Sequence, residues 1–153
     1  MSRPTLVIGL GHEFRGDDGV GPLVIQKLNT MGLANIECIA HSGDPADLVD
    51  RWHTRDVILI DAMRTGTKPS GSMIALEPLL TDFDTVPAAT SSHALSLKEA
   101  LELATILERL PKRLLVIGIE GADFAQGAAL SPVVSKAVKP TIQLITQTLQ
   151  QWE

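Results

Sequence analysis

The chain carries a single cysteine, Cys38, so no disulfide can form within it. That cysteine lies in Ile36-Glu37-Cys38-Ile39-Ala40, an apolar run that reads as a strand, which makes the thiol a core residue rather than a nucleophile. No apolar run approaches the roughly 20 residues of a membrane span. Met1-Ser2-Arg3-Pro4 leads directly into a strand instead of a signal-type segment, so a cytoplasmic protein with no membrane partner is expected. Lys and Arg total 13 against 18 Asp and Glu, giving a formal charge of −5, and the basic residues form no cluster. Without a surface that neutralises phosphate, nucleic acid is not expected as a partner.

Several chemical signatures are missing as well. A dinucleotide fingerprint needs a third glycine where Phe14 stands, and the second strand ends in His41-Ser42-Gly43 with no acid for a ribose. Gly66-Thr67-Lys68 lacks the spacing of a Walker loop. His12-Glu13 opens like a zinc-peptidase helix, but Gly16 occupies the position of the second histidine. The Gly-x-Ser-x-Gly elbow of serine hydrolases is also absent. No organic cofactor is expected.

What is present is an alternation of strands and helices. At 153 residues, 44% of them hydrophobic, the chain suits one domain spanning residues 1–153. Thr5–Gly9, Val57–Ile60 and Leu114–Ile119 are near-continuous apolar runs, the pattern of parallel strands covered on both faces. Val20, Leu23, Val24 and Leu28 recur at helical spacing before Gly32, and Asp44-Pro45 opens a short helix through Trp52. Ser72–Leu76 predicts a short antiparallel edge strand, with no helix between it and the third strand. Residues from about Glu77 to His93 form the longest loop, a natural place for function. A third helix follows over Ala94–Glu108, with Ser96 and Glu99 at capping-box spacing and Ser92 as an alternative start. The last helix begins at Ser131-Pro132 and presents Val134, Val138, Ile142, Ile145 and Leu149, with a bend or break expected at Pro140. The fold class is α/β: a three-layer αβα sandwich around a doubly wound, mostly parallel sheet of about five strands, with one antiparallel edge strand.

The chemistry concentrates in Gly9-Leu10-Gly11-His12-Glu13-Phe14-Arg15-Gly16-Asp17-Asp18-Gly19-Val20-Gly21. A glycine-rich turn between strand and helix usually cradles phosphate, but Asp17 and Asp18 would occupy its amide donors and repel an anion. The doublet reads either as an acidic cap of the next helix or as ligands for a cation. Two carboxylates about 4 Å apart at an effective dielectric near 20 repel by about 4 kcal/mol, so both stay ionised only if they diverge, stay wet or meet a cation. In an open doubly wound sheet, ligands bind beyond the carboxyl ends of the strands, where Asp18, Asp61 and His93 would all lie. Asp61 ends an apolar strand and His93 sits in the long loop; alone, each also reads as a cap or helix-start residue. Together, two carboxylates and an imidazole suit a first-row transition metal without choosing between nickel, zinc and iron. His41 is a plausible neighbour, and His53 reads as a surface residue.

These marks in combination resemble the nickel-iron hydrogenase maturation endopeptidases. That family's opening of Gly-x-Gly-Asn, a four-residue spacer and an acidic pair is similar to Gly9-Leu10-Gly11-His12 followed by Asp17-Asp18-Gly19-Val20-Gly21. Its strand-end aspartate before alanine corresponds to Asp61-Ala62, and its histidine before a leucine-rich helix to His93. Gly118-Ile119-Glu120 and Leu130-Ser131-Pro132 extend the likeness over nearly the whole chain. His12 departs from the family's asparagine. An imidazole divides donor and acceptor roles between two ring nitrogens and can also bind metal, so His12 could orient the loop or join the site.

The resemblance implies an endopeptidase, of the aspartyl type, that removes the C-terminal extension of a nickel-iron hydrogenase large-subunit precursor after nickel is installed. Asp18, Asp61 and His93 are implied to be the catalytic, metal-contacting set, with possible assistance from Asp17 and a possible further ligand in His12. Nickel would be supplied by the substrate and serve as the recognition element, and the chain itself offers no cysteine cage for storing it. Water activation is open between the metal and a carboxylate, Asp18 or Asp17. Two other readings stand beside this one: a metal-dependent peptidase acting on an unrelated protein, and a non-catalytic module binding a small ligand in the same crevice.

Overall fold

The computed structural model describes residues 3–80 and 94–153, with the side chains of the third helix described from residue 97 onward. The elements follow in the order β1 (Thr5–Leu10), a single 3-10 turn (Gly16–Gly19), α1 (Val20–Thr30), β2 (Ile36–His41) and α2 (Pro45–Trp52). They continue as β3 (Asp56–Met63), β4 (Met73–Leu76), α3 (Ala94–Leu107), β5 (Arg113–Glu120) and α4 (Pro132–Gln151). The strands form one sheet in the order β2-β1-β3-β5-β4. All neighbours are parallel except β4, which runs antiparallel to β5.

Because side chains alternate across a strand, the apolar runs feed two cores. Val7, Ile58, Ile60, Ile117 and Ile119 pack with residues of α1 and α4 on one face. Leu6, Ile8, Leu10, Val57 and Leu59 pack with residues of α2 and α3 on the other. The result is the expected three-layer, doubly wound α/β architecture. α2 begins where its sequence directs, with Asp44 accepting the Asp47 N–H at 3.1 Å and Pro45 in the first turn.

Several elements differ from the sequence reading. β4 is the expected antiparallel edge strand, but its neighbour is β5 rather than the preceding β3. An eight-residue apolar strand gains most from burial on both faces and between neighbours, so β5 docks beside β3 in continuous register from Asp56↔Arg113 to Met63↔Glu120. The short, half-exposed β4 is left outside, where an edge is harmless. Pro140 does not break α4, which runs unbroken over 20 residues. Pro140 lies on the exposed face, one turn beyond exposed Lys136, whose carbonyl lacks the usual N–H donor. Cys38 is half-buried on edge strand β2 rather than a core residue. Burial first, and Glu37 second, push its thiol upward, which keeps it a poor nucleophile. The alternative start of α3 at Ser92 lies outside the described residues.

Strand order reverses between β1 and β3: from β1 the chain passes outward to β2, then returns across β1 to β3. The crevice above that reversal is where an open α/β sheet binds its ligand.

Candidate active site

The floor of the crevice depends on glycine. A Cβ at Gly21 would run into the Leu10 backbone, and one at Gly9 into the Gly21 carbonyl, so α1 rests directly on the end of β1. Gly11 takes φ +130, which a side chain rarely adopts, and a Cβ there would overlap the Asp18 carbonyl. The chain turns sharply enough for the 3-10 turn to fold back against β3.

The two aspartates of that turn diverge. Neither side chain caps α1, whose N-cap is Gly19 with no side-chain hydrogen bond; the doublet instead forms the acidic first turn of the 3-10 segment that runs into that helix. Asp18, 5% exposed, turns toward the strand end, where its Oδ2 accepts the backbone N–H of His12 at 2.9 Å. Asp17, with no exposed surface, turns the other way, into the loop after β5. Its Oδ2 accepts N–H groups from Ala122 at 2.7 Å and Asp123 at 2.9 Å. Its Oδ1 accepts the Ser131 N–H at 2.7 Å, and the Ser131 hydroxyl lies 2.9 Å from both oxygens. Burial pushes this carboxyl up, but the hydrogen bonds from Asp123, Ala122 and Ser131 outweigh it and hold the group below the usual carboxylate range. Divergence lets each carboxylate keep its own set of donors and lessens the repulsion expected of adjacent carboxylates.

Asp61 is in register with Gly118, inside β3 rather than at its end. It is 7% exposed and sits two residues beyond Leu59 along the strand, on the face covered by α2 and α3. Beside β3, Glu120 closes β5 with a buried carboxylate that accepts N–H groups from Thr65 at 3.0 Å and Gly66 at 3.4 Å, together with the Thr65 hydroxyl. Glu120 therefore ties down the β3–β4 connection. Its signal in the sequence was an acid ending an apolar run, the same signal that marked Asp61. In the sequence Ser131 reads as a helix start, with no sign of its bond to Asp17.

The histidines part company. His12 meets Asp18 through its main chain while its residue is exposed to solvent. His41 is engaged at both ring nitrogens: Nδ1 accepts the Gly43 N–H at 2.8 Å, so Nε2 carries the proton and donates to Asp47 Oδ2 at 2.6 Å. This pairing fixes the β2–α2 turn and leaves His41 structural. His53 is only half-exposed, at the end of α2, distant in the fold from the carboxyl edge.

His93 lies outside the described residues, and among those described no three His, Cys, Asp or Glu side chains gather as a metal-binding group. α3 follows His93 directly in the sequence. Just beyond α3, the carbonyls of Arg109 and Leu110 accept from Trp52 Nε1 at 3.2 Å and Thr54 N–H at 3.5 Å, at the amino edge of β3. The 14 residues of α3 span about 21 Å, so its first residue, Ala94, belongs to the opposite, carboxyl edge. Leu97, Ala100 and Ala104 pack it onto the face that Asp61 shares.

The fold and its polar edge define an open α/β protein whose strand reversal is lined by buried carboxylates instead of a phosphate cradle. Comparison with known proteins sharpens this. The family profile HycI, hydrogenase maturation protease, matches residues 30–148. The hydrogenase expression/formation protein HupD of Thiocapsa roseopersicina is 29% identical over 156 aligned positions, covering 96% of this chain and 68% of that protein. Among solved structures, the hydrogenase maturating endopeptidase HybD from E. coli superposes with a TM-score of 0.82 at 22% identity, over 97% of this chain and 93% of that one. The [NiFe] hydrogenase maturation protease HybD from Thermococcus kodakarensis gives 0.78 at 21% identity, over 95% and 98%. The chain belongs to the hydrogenase maturation protease family, and it is accordingly a hydrolase, a peptidase.

Proposed function

We propose that this protein is the endopeptidase that removes the C-terminal extension from the nickel-loaded precursor of a nickel-iron hydrogenase large subunit, acting in the cytoplasm. The observation that carries the reading is the pair of buried carboxylates Asp18, in the turn that follows β1, and Asp61, inside the carboxyl half of the adjacent β3, where the sheet order reverses. The family supplies the reaction class; the edge supplies the chemistry.

Nickel belongs to the substrate, held by the precursor. Asp18 and Asp61 offer oxygen donors to it, and His93, which precedes α3 by one residue in the sequence, is the nitrogen donor of the set. Contact with the metal places the nearby peptide bond beside these side chains for attack by water. Asp18 is the carboxylate suited to take the water's proton, since both oxygens of Asp17 are filled by donors of the β5–α4 loop. Water attacks the carbonyl carbon, the C–N bond breaks, and the proton passes to the departing amine. His12 serves through its N–H, which orients Asp18, a task that an asparagine main chain performs equally well; this accounts for the departure from the family residue.

Single replacement of Asp18, Asp61 and His93 by alanine is expected to reduce conversion of nickel-loaded precursor by about 10²–10⁴-fold on a gel assay. Full processing by all three variants would refute the site. Precursor without nickel should stay uncut by the unaltered enzyme; equal cleavage of both forms removes nickel as the recognition element.

A further inference from the structure

We propose that Asp17 is a positioning residue of the cleavage reaction: it locks the 121–131 loop onto the Gly16–Gly19 turn and thereby fixes the direction in which Asp18 presents its carboxylate. The inference rests on the role given to Asp18 above.

The tie is dense and reaches across the chain. Every donor to the Asp17 carboxylate comes from more than a hundred residues away: Ala122 and Asp123 just past β5, and Ser131 at the head of α4. The main chain reinforces it in both directions. Asp17 N–H donates to the Asp123 carbonyl at 2.7 Å, Gly16 N–H to Ala128 at 3.0 Å, and Gly127 N–H to Phe14 at 2.7 Å. No slack separates the two segments. A Cβ at Gly16 would overlap the Asp123 carbonyl, and one at Gly121 would lie 3.1 Å from the Asp17 Cβ.

The same bonds reach Asp18 by covalent geometry. One planar peptide separates the two residues, so a turn pinned at residues 16 and 17 leaves few orientations for the next Cα–Cβ bond. Asp18 N–H closes the turn on the Arg15 carbonyl at 3.2 Å, and the His12 N–H then selects the rotamer. The site carboxylate is thus held from its own side chain and from behind.

Aspartate is the residue this bracket demands. Three N–H groups and a hydroxyl converge on its two oxygens, and asparagine would turn an NH₂ toward donors that need an acceptor. Glutamate would need room for another methylene where Gly121 already packs against the Asp17 Cβ. Charge also matters, because Ser131 is the N-cap of the 20-residue α4 and turns its hydroxyl to Asp17 instead of capping the helix itself. The carboxylate therefore sits at the positive end of that helix dipole.

The test measures kcat and KM on nickel-loaded precursor per folded molecule, at a temperature well below melting of each variant. Asp17→Asn is expected to lower kcat roughly 10- to 100-fold with KM unchanged, as misorientation of a reacting group does. Ser131→Ala, which keeps the N–H and removes the hydroxyl, is expected to lose less, again in kcat. A purely structural tie would lower melting temperature and folded fraction while leaving kcat per folded molecule intact, and that result overturns the proposal. If Asp17→Asn does not fold, Ser131→Ala carries the test, and a wild-type kcat there overturns it. Asp18→Ala, measured in parallel, separates the two readings: an inactive Asp18→Ala beside a fully active Asp17→Asn sinks positioning alone, whereas an active Asp18→Ala sinks the site.

Discussion

Among the described residues, four buried carboxylates lie near one edge of this sheet, and each has its own surroundings. Asp17 and Glu120 meet backbone amides and hydroxyls of neighbouring loops, so they hold structure. Asp18 accepts the His12 N–H, and Asp61 rises from a strand interior on the α3 side. Sequence could show that acids end apolar runs here, but hydrogen-bond partners a hundred residues distant leave no local trace. That is why Asp17 and Asp18 look alike as a doublet although their carboxylates meet different partners. Glycine is more legible, because the need for it is local. Gly21→Ala is expected to cost about 1–3 kcal/mol by forcing α1 off β1, seen as a lower melting temperature. Cleavage activity should fall with it, since the same approach seats the Asp18 turn. A melting temperature equal to wild type would show that the contact has slack.

At the scale of elements, periodicity and punctuation carried most of the fold. The bounds of α2 follow from Asp44-Pro45, and β1, β3 and β5 from their apolar runs. What periodicity lacks is partner choice: nothing in Ser72–Leu76 says that a later strand will insert between it and β3. Nor does composition show that Pro140 faces water, where a missing N–H costs little. The β3–β5 pairing also carries a charge lock at its amino end. Arg113 grips Asp56 through Nε–Oδ1 at 2.8 Å and NH2–Oδ2 at 2.7 Å, and its guanidinium lies 4.8 Å from the centre of the Trp152 ring. The Arg113 hydrogen bonds hold the Asp56 carboxyl below its ordinary range despite burial. A lowered folded value means stability present above the ordinary aspartate value of roughly 3.9 and lost as pH falls through the lower folded one. The gap in melting temperature between wild type and Asp56→Asn should therefore be full near neutrality and shrink below about pH 3.9. A gap independent of pH would mean that the lock contributes packing rather than charge.

At the scale of the whole molecule, the sheet topology sets where the proposed site lies. Because strand order reverses between β1 and β3, their carboxyl ends are the place where loops part; Asp18 lies in the turn after β1 and Asp61 two residues before the end of β3. α3 completes the layout by leading from that edge to the amino edge, with His93 as the residue before it. The most direct measurement is a crystal structure of the protein soaked with nickel or cadmium, with the ion located by anomalous scattering. One ion bonded to Asp18, Asp61 and His93 together is the predicted result. An ion bound elsewhere, with those three side chains pointing apart, would contradict it.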